Sequence, residues 1–411
     1  MTDYFDALET RSIDQRTQDQ LTSLQQQIRH AQQNSSAYAR ILENIDANTI
    51  VDASSFTQLP LTRKSELIEL QKRERPFGGF DAKTNKPTTH VFASPGPIYE
   101  PGYQVKDHWH FARTFYAAGF RAGDLVHNTF SYHFVPAGMM VESGAITLGC
   151  RVIPAGTGQT ELQIQTINDL QPNGYVGTPS FLKIILDKAT SLDADVSSIK
   201  KALVSGEALP PSIRADFQEQ GLSVQQCYAT ADLGVIGYES SALEGLIIDE
   251  SVYVEIVRPG SSDLVAEGEV GEVVVTRLSP QYPLIRFATG DLSAVLPGES
   301  PCGRTNLRIK GWMGRADQTA KVRGMFIHPE QIDKVVKRHT EITRARLVVN
   351  WVDKADQMTL QCEVNRREEP LLEAIANSFR EICKLRCEVE LVNSGELVND
   401  GKVIDDARDY D

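Results

Sequence analysis

This sequence predicts a mixed α/β fold: a large domain over residues 1–314 with parallel and antiparallel sheets, and a small mobile α+β domain over 315–411. Three observations predict it. Between about residues 90 and 240 short apolar runs alternate with helical ones, the pattern of a mostly parallel sheet with helices on its faces. Beyond Glu244 strands follow one another through hairpin-like turns, which describes an attached antiparallel sheet. Near Gly314 to Asp317 the chain restarts with a smaller set of helices and strands.

Each element has a local reason. Residues 12–45 lack proline, and Leu21, Leu24, Ile28 and Ala31 recur at three- or four-residue steps, so an amphipathic helix is expected. LTRKSELIEL (61–70) reads as a capped helix and PFGGFDAKTNKP (76–87) as a loop. The alternating region then runs VHNTF (126–130), the helix-like GMMVESGAITLG (138–149), RVIPAG (151–156), a helix from Thr160, GYVGTP (174–179), FLKIILDKA (181–189) and KALVSG (201–206). The antiparallel part comprises SVYVEIVRPG (251–260), GEVVVTRL (271–278) and YPLIRFATGDLSAVL (282–296). In the small domain HPEQIDKVVKRH (328–339) and EPLLEAIANSFREICKL (369–385) are helical, while RARLVVNWV (344–352), MTLQCEVN (358–365) and CEVELV (387–392) are strands.

Composition excludes several functions. The 411 residues are enough for two or three domains, and 41% hydrophobic with 24% charged residues is a globular balance. Forty-two basic against 55 acidic residues leave a charge of −13, which disfavours nucleic acid as a partner. The most apolar stretch, Phe134 to Ala155, contains Glu142 and Arg151 and several helix breakers, so no membrane span is expected. MTDYFDALETRS is acidic and has no apolar core, which predicts a cytoplasmic protein without a targeting segment. Six cysteines without a CxxC pair are expected to stay reduced.

The common cofactor motifs fail. Gly156-Thr157-Gly158 lacks the third glycine of a dinucleotide fingerprint, and Gly401-Lys402-Val403 does not complete a P-loop. His108 and His110, two apart on an expected helix, read as surface or partly packed residues, and Cys383 with Cys387 as core.

Four segments do carry chemistry together: SGEALPP (205–211), CYATADLG (227–234), PLIRFATGDL (283–292) and GWMGRADQTAKVRGMFIHPEQID (311–333). In this order and spacing the chain resembles the adenylate-forming enzymes, within them the phenylacetate-CoA ligase branch, over nearly its whole length. The resemblance implies ATP-dependent activation of a carboxylic acid, aromatic by first choice, as an acyl-adenylate passed to a thiol, with ATP, Mg²⁺ and CoA as the small molecules. Transfer to a carrier protein or an amine, or a non-catalytic nucleotide- or acyl-binding relative, are the alternatives. Relatives are often dimers, so a homodimer is a further implication.

By resemblance Asp291 accepts from the ribose hydroxyls, Arg315 contacts the nucleotide, Asp317 is the pivot of the small domain, and Lys402 reaches the α-phosphate. Ser205, Gly206 and Glu207 match the adenine-lining segment; Tyr228, Ala229 and Thr230 match the phosphate-contacting segment, and Asp232 its magnesium-binding acid. Gly177, Thr178 and Pro179 border the acyl pocket in relatives, with Tyr132, His133 and Phe134 as its aromatic wall; Arg323 and Gly324 border the thiol channel. Two departures stand out. The family's glycine-rich phosphate loop is ASPGPIYEPG here (93–102), with Pro95, Pro97 and Pro101 giving no N–H donors and Glu100 in the lysine's place. A carboxylate about 4 Å from a phosphate charge costs roughly 4 kcal/mol near a protein surface, so Lys106 or Arg286 are candidates to hold the pyrophosphate instead. Of the zinc ligands of some relatives only Cys302 is present, and no structural zinc is expected.

Overall fold

The computed structural model describes residues 4–94, 98–316, 318, 320–322, 325–352 and 355–408. It divides into two compact units. The first comprises Met1–Val254, Val275–Phe287 and Leu296–Trp312, and the second Glu255–Val274, Ala288–Val295 and Met313–Asp411. The second unit thus takes in two segments that precede residue 315.

An eight-stranded sheet organises the first unit, in the order Arg308–Ile309, Leu246–Ile248, Gly234–Tyr238, Ser223–Thr230, Lys201–Val204, Gly174–Gly177, Leu125–Asn128 and Arg151–Pro154. The last five strands are parallel and the first four pair antiparallel. Both faces are covered, as the continuous apolar runs require. Val126, Val176 and Leu203 pack with Phe111, Phe115, Met140 and Val141. Tyr175, Ala202 and Val204, on the other face, pack with Ile164, Leu182, Ile185 and Phe217.

The second unit contains a four-stranded sheet ordered Glu388–Asn393, Ala355–Val364, Ile342–Val352 and Ile404–Asp406. Only the central hairpin is antiparallel. Helices Pro329–Val336 and Glu369–Cys383 bury Ile332, Val335, Ile375, Phe379 and Cys383 with Leu347, Val349, Leu360 and Cys362.

Four expectations change in detail. The helix expected over 12–45 is two, Ile13–Asn34 and Ser36–Ile41, because the Ser35 hydroxyl leaves the first and accepts from the Tyr38 amide at the start of the second. The HxH segment is not helical. Helix Phe111–Ala117 begins after it, where the Asp107 carboxylate accepts from the amides of Phe111 and Ala112, both at 2.9 Å. His108 is buried, not on the surface, and the Arg277 guanidinium donates to its carbonyl at 2.8 Å. The stretch matching the phosphate loop is largely strand: Thr88–Ser94 pairs antiparallel with Ile98–Tyr103, and its prolines 95 and 97 lie outside the described residues. Of YPLIRFATGDLSAVL only Phe287–Ser293 is strand.

Among the described residues no helix is long and apolar enough to cross a membrane. Leu360 is fully buried in the second unit, so Leu360→Ala should destabilise it by about 2–5 kcal/mol. A lowered urea midpoint measured by circular dichroism would check this.

Candidate active site

In an open parallel sheet ligands bind beyond the carboxyl ends of the strands, because loops and helix N-termini converge there. Four adjacent strands of the first unit end in candidate residues. Leu125–Asn128 leads to Tyr132, His133 and Phe134, Gly174–Gly177 to Thr178 and Pro179, Lys201–Val204 to Ser205, Gly206 and Glu207, and Ser223–Thr230 carries Tyr228, Ala229 and Thr230 with Asp232 just beyond. Register aligns these ends: Gly177 pairs with Val204, and Val204 with Gln226.

Local hydrogen bonds fix most of these groups. Ser205 donates to the Cys227 carbonyl at 2.8 Å, joining two neighbouring strand ends. The Thr178 hydroxyl caps helix Pro179–Ser191 by accepting from the Phe181 amide, while Pro179 occupies the first turn, where its missing N–H costs nothing. Glu207 accepts from the Ser180 hydroxyl at 2.9 Å, and Thr230 from the Leu233 amide at 3.2 Å. Tyr132 accepts from the Asn128 amide and donates to Glu142 at 2.5 Å; burial and that carboxylate push its phenol pKa up. His133 and Phe134 are exposed.

Beside these strand ends lies a buried charged cluster. Asp232 has no exposed surface; its Oδ2 accepts from the Lys64 ammonium at 2.5 Å, and its Oδ1 has no hydrogen-bond partner. Arg277, also buried, donates to the Asp232 carbonyl at 2.9 Å. Glu100 is 1% exposed, and burial, then the Asp232 charge, push its carboxyl up to about 8. Arg286 is not available to a phosphate, since its guanidinium is fully buried and donates to the carbonyls of Thr57 and Leu59 at 2.5 Å each. Lys64 was missed by sequence reasoning; it follows the short strand Thr62–Arg63, and nothing local in the sequence marks it.

The second unit holds a separate constellation around a cleft of about 400 Å³ lined by Arg315, Gln318, Asp400, Lys402 and Asp405 among others. Asp291 accepts from Arg315 at 2.7 Å. The backbone reinforces this pair through Leu292 N–H to Gly314 O and Ala316 N–H to Gly290 O. Gly290, at φ +76°, sits under the guanidinium, and a Cβ there would lie 2.7 Å from it. Gly401, at φ +74°, rests on Val270 and Leu292, which brings the lysine after it to the strand of Asp291. Lys402 itself donates to Asp405 at 2.6 Å and is half exposed. Exposed pairs of this kind contribute at most about 1 kcal/mol, so a phosphate can take the ammonium. Asp317, Arg323 and Gly324 lie outside the described residues.

A magnesium ion at Asp232 does not fit this arrangement. Mg²⁺ keeps several waters in octahedral geometry, whereas the carboxylate is inaccessible and already holds an ammonium. Among the described residues no group of three or more His, Cys, Asp and Glu could hold a metal.

Strand-end motifs in one unit and an aspartate–arginine–lysine cleft in the other are the marks of a nucleotide-activating ligase. The model described as "AMP-binding enzyme" matches residues 103–279, and "AMP-binding enzyme C-terminal domain" matches 324–406. The phenylacetate-coenzyme A ligase of Pseudomonas putida is 30% identical over 355 residues, which cover 82% of this chain and 79% of that one. That of Aromatoleum evansii is 29% identical over 378 residues, covering 86% and 84%. A solved 2-hydroxyisobutyryl-CoA ligase, in an open conformation with 2-HIB-AMP and CoA, shares the fold: TM-score 0.74 at 23% identity, over 97% of this chain and 92% of that one. The chain belongs to the adenylate-forming enzyme superfamily, on its phenylacetate-CoA ligase-like branch, and is an enzyme of the acid–CoA ligase type.

At the position of a zinc ligand in some relatives, the Cys302 thiol is half-buried. Burial opposes its ionisation, but hydrogen bonds with Ser240, Ser300 and Arg304 outweigh this and bring its pKa down to about 7. Its alkylation by iodoacetamide should therefore rise through about pH 7, and Ser300→Ala should move the midpoint upward. Mass spectrometry of the modified peptide against pH checks both.

Proposed function

We propose that this enzyme uses ATP to activate a carboxylic acid as its acyl-adenylate and then passes the acyl group to the thiol of CoA, with aromatic acids the first candidates. One observation carries the reading: four segments separated in sequence converge on the carboxyl ends of adjacent parallel strands, where an acyl group and a mononucleotide would be bound. The names of the phenylacetate-CoA ligases support CoA as acceptor and an aryl acid as donor.

The residues take roles that follow from their chemistry. An ionised carboxylate has about four acceptor positions, so Asp291 can keep Arg315 and still accept from ribose hydroxyls. Arg315 supplies positive charge to the nucleotide. Lys402, a compact ammonium on a flexible stem, leaves Asp405 to meet the charge that develops on the α-phosphate. Ser205, Gly206, Glu207, Tyr228 and Thr230 line the nucleotide side, with Tyr132 and Gly177 toward the acyl group. Asp317 is the pivot about which residues 315–411 turn between adenylation and thioester formation. Magnesium arrives as the counter-ion of ATP.

A screen of aromatic and aliphatic acids for acid-dependent release of AMP and pyrophosphate tests this reading. The ligase reading expects at least one acid to support turnover. Lys402→Ala should then lower pyrophosphate exchange by about 10²–10³-fold with an unchanged melting curve. Full exchange activity in that variant would remove the assignment.

A further inference from the structure

We infer that Arg346 is a positioning residue for Lys402: its guanidinium fixes the main chain that carries the lysine and occupies Asp400, a carboxylate that would otherwise compete for the lysine's ammonium. The inference rests on the role proposed for Lys402 and adds to it a residue 56 positions earlier in the chain. Arg346 lies on strand Ile342–Val352 and is 6% exposed. Parallel pairing of Leu347 with Ile404, and a bond from the Leu347 amide to the Val403 carbonyl at 2.8 Å, set it beside the loop that ends in Lys402. From there Nε donates to the Lys402 carbonyl at 3.2 Å, and Nη2 donates to the Val398 carbonyl at 3.1 Å and to Asp400 Oδ1. The same Asp400 oxygen accepts from the Lys402 amide at 3.0 Å. One planar fork thus grips three alternate residues of the loop, which a point charge could not do.

Charge gives Arg346 its second task. The cleft around Lys402 is lined by Asp400, Asp405 and Asp406, three carboxylates in a place where an anionic nucleotide would bind. Asp406 is held by Arg408, and Asp405 by the Lys402 ammonium, with Arg346 Nη1 3.9 Å from its other oxygen. Asp400 is held by Arg346. Take the guanidinium away and Asp400 stands unpaired beside the lysine's own amide, where the flexible stem lets the ammonium reach it. An ammonium shared by two carboxylates is harder to release to a phosphate than one in a single exposed pair. Arg346 therefore keeps Lys402 with one weak partner while holding its backbone still.

The test separates two half-reactions of the full chain: pyrophosphate exchange, which reads adenylation, and CoA thioester formation from synthetic acyl-adenylate, which does not call on the lysine. Arg346→Met should lower the kcat of exchange by about 10–100-fold. The thioester step should stay within about twofold, a split that general loss of structure would not give. Adding Asp400→Asn, which keeps the acceptor for the Lys402 amide but removes the competing charge, should recover exchange by about fivefold. Full exchange in Arg346→Met, equal losses in both steps, or no recovery in the double variant overturns the inference. Should Arg346→Met fail to fold, Arg346→Lys decides in the same way: a loss confined to exchange supports the inference, and full exchange or equal losses overturn it. Lys402→Ala tells the two readings apart. If it retains exchange, the lysine assignment fails; if it is inactive while Arg346→Met is fully active, only the present inference fails. Amide hydrogen exchange of residues 398–403, followed by mass spectrometry without any substrate, decides where no acid supports turnover: faster exchange in Arg346→Met supports the anchor, and an unchanged rate overturns it.

Discussion

Strand register is the constraint on which the candidate site depends. Side chains alternate between faces with period two, so a one-residue slip of Gly174–Gly177 against Lys201–Val204 would turn Tyr175 and Val176 to the wrong cores. The same register sets where each strand stops. Gly177 opposite Val204, and Val204 opposite Gln226, put Thr178, Ser205 and Cys227 at one level, with Tyr228 one residue further along a strand that runs to Thr230. Packing on the two faces of the sheet thus fixes the height of polar groups that take no part in the packing, and the apolar core positions the chemistry.

The second unit solves a different problem, holding a cation close to an anion while both remain usable. Two backbone hydrogen bonds flank the Asp291–Arg315 pair, so neither side chain alone bears the cost of fixing it. Glycine at 290 suits the positive φ of +76° that the turn beneath the guanidinium adopts, and a Cβ there would push the guanidinium aside. Lys402 is restrained more loosely, by one exposed carboxylate three residues away, although its backbone is tied down through Gln318, which donates to the Gly401 carbonyl and accepts from the Ile404 amide. A fixed main chain carrying a loosely held ammonium suits a group that must exchange partners during a reaction.

Much of this was legible in the sequence because it follows from local pattern. Alternating apolar runs gave the parallel strands, whereas Ser205, Thr178 and Tyr228 were singled out only through the resemblance of their segments to the family. What was not legible depends on groups far apart in the chain. Lys64 and Asp232 are 168 residues apart, and nothing around Lys64 distinguishes it from a solvated helix lysine. His108 read as a partly packed residue because its partner, Arg277, is 169 residues away. Helix ends were misread where one side chain decides them, as Ser35 and Asp107 do.

Glu100 shows how burial can reverse a conclusion drawn from residue type. In the sequence it stands for a lysine that holds phosphate in relatives, and as an exposed carboxylate it would repel that phosphate. In the fold it points inward from strand Ile98–Tyr103 and is almost wholly buried. Loss of hydration and the neighbouring Asp232 both favour its protonated form, raising its pKa above neutrality. A group with pKa above the ambient pH is mostly protonated, so Glu100 brings little negative charge to the site at pH 7. The substitution therefore removes a phosphate-binding cation without adding a full repelling anion.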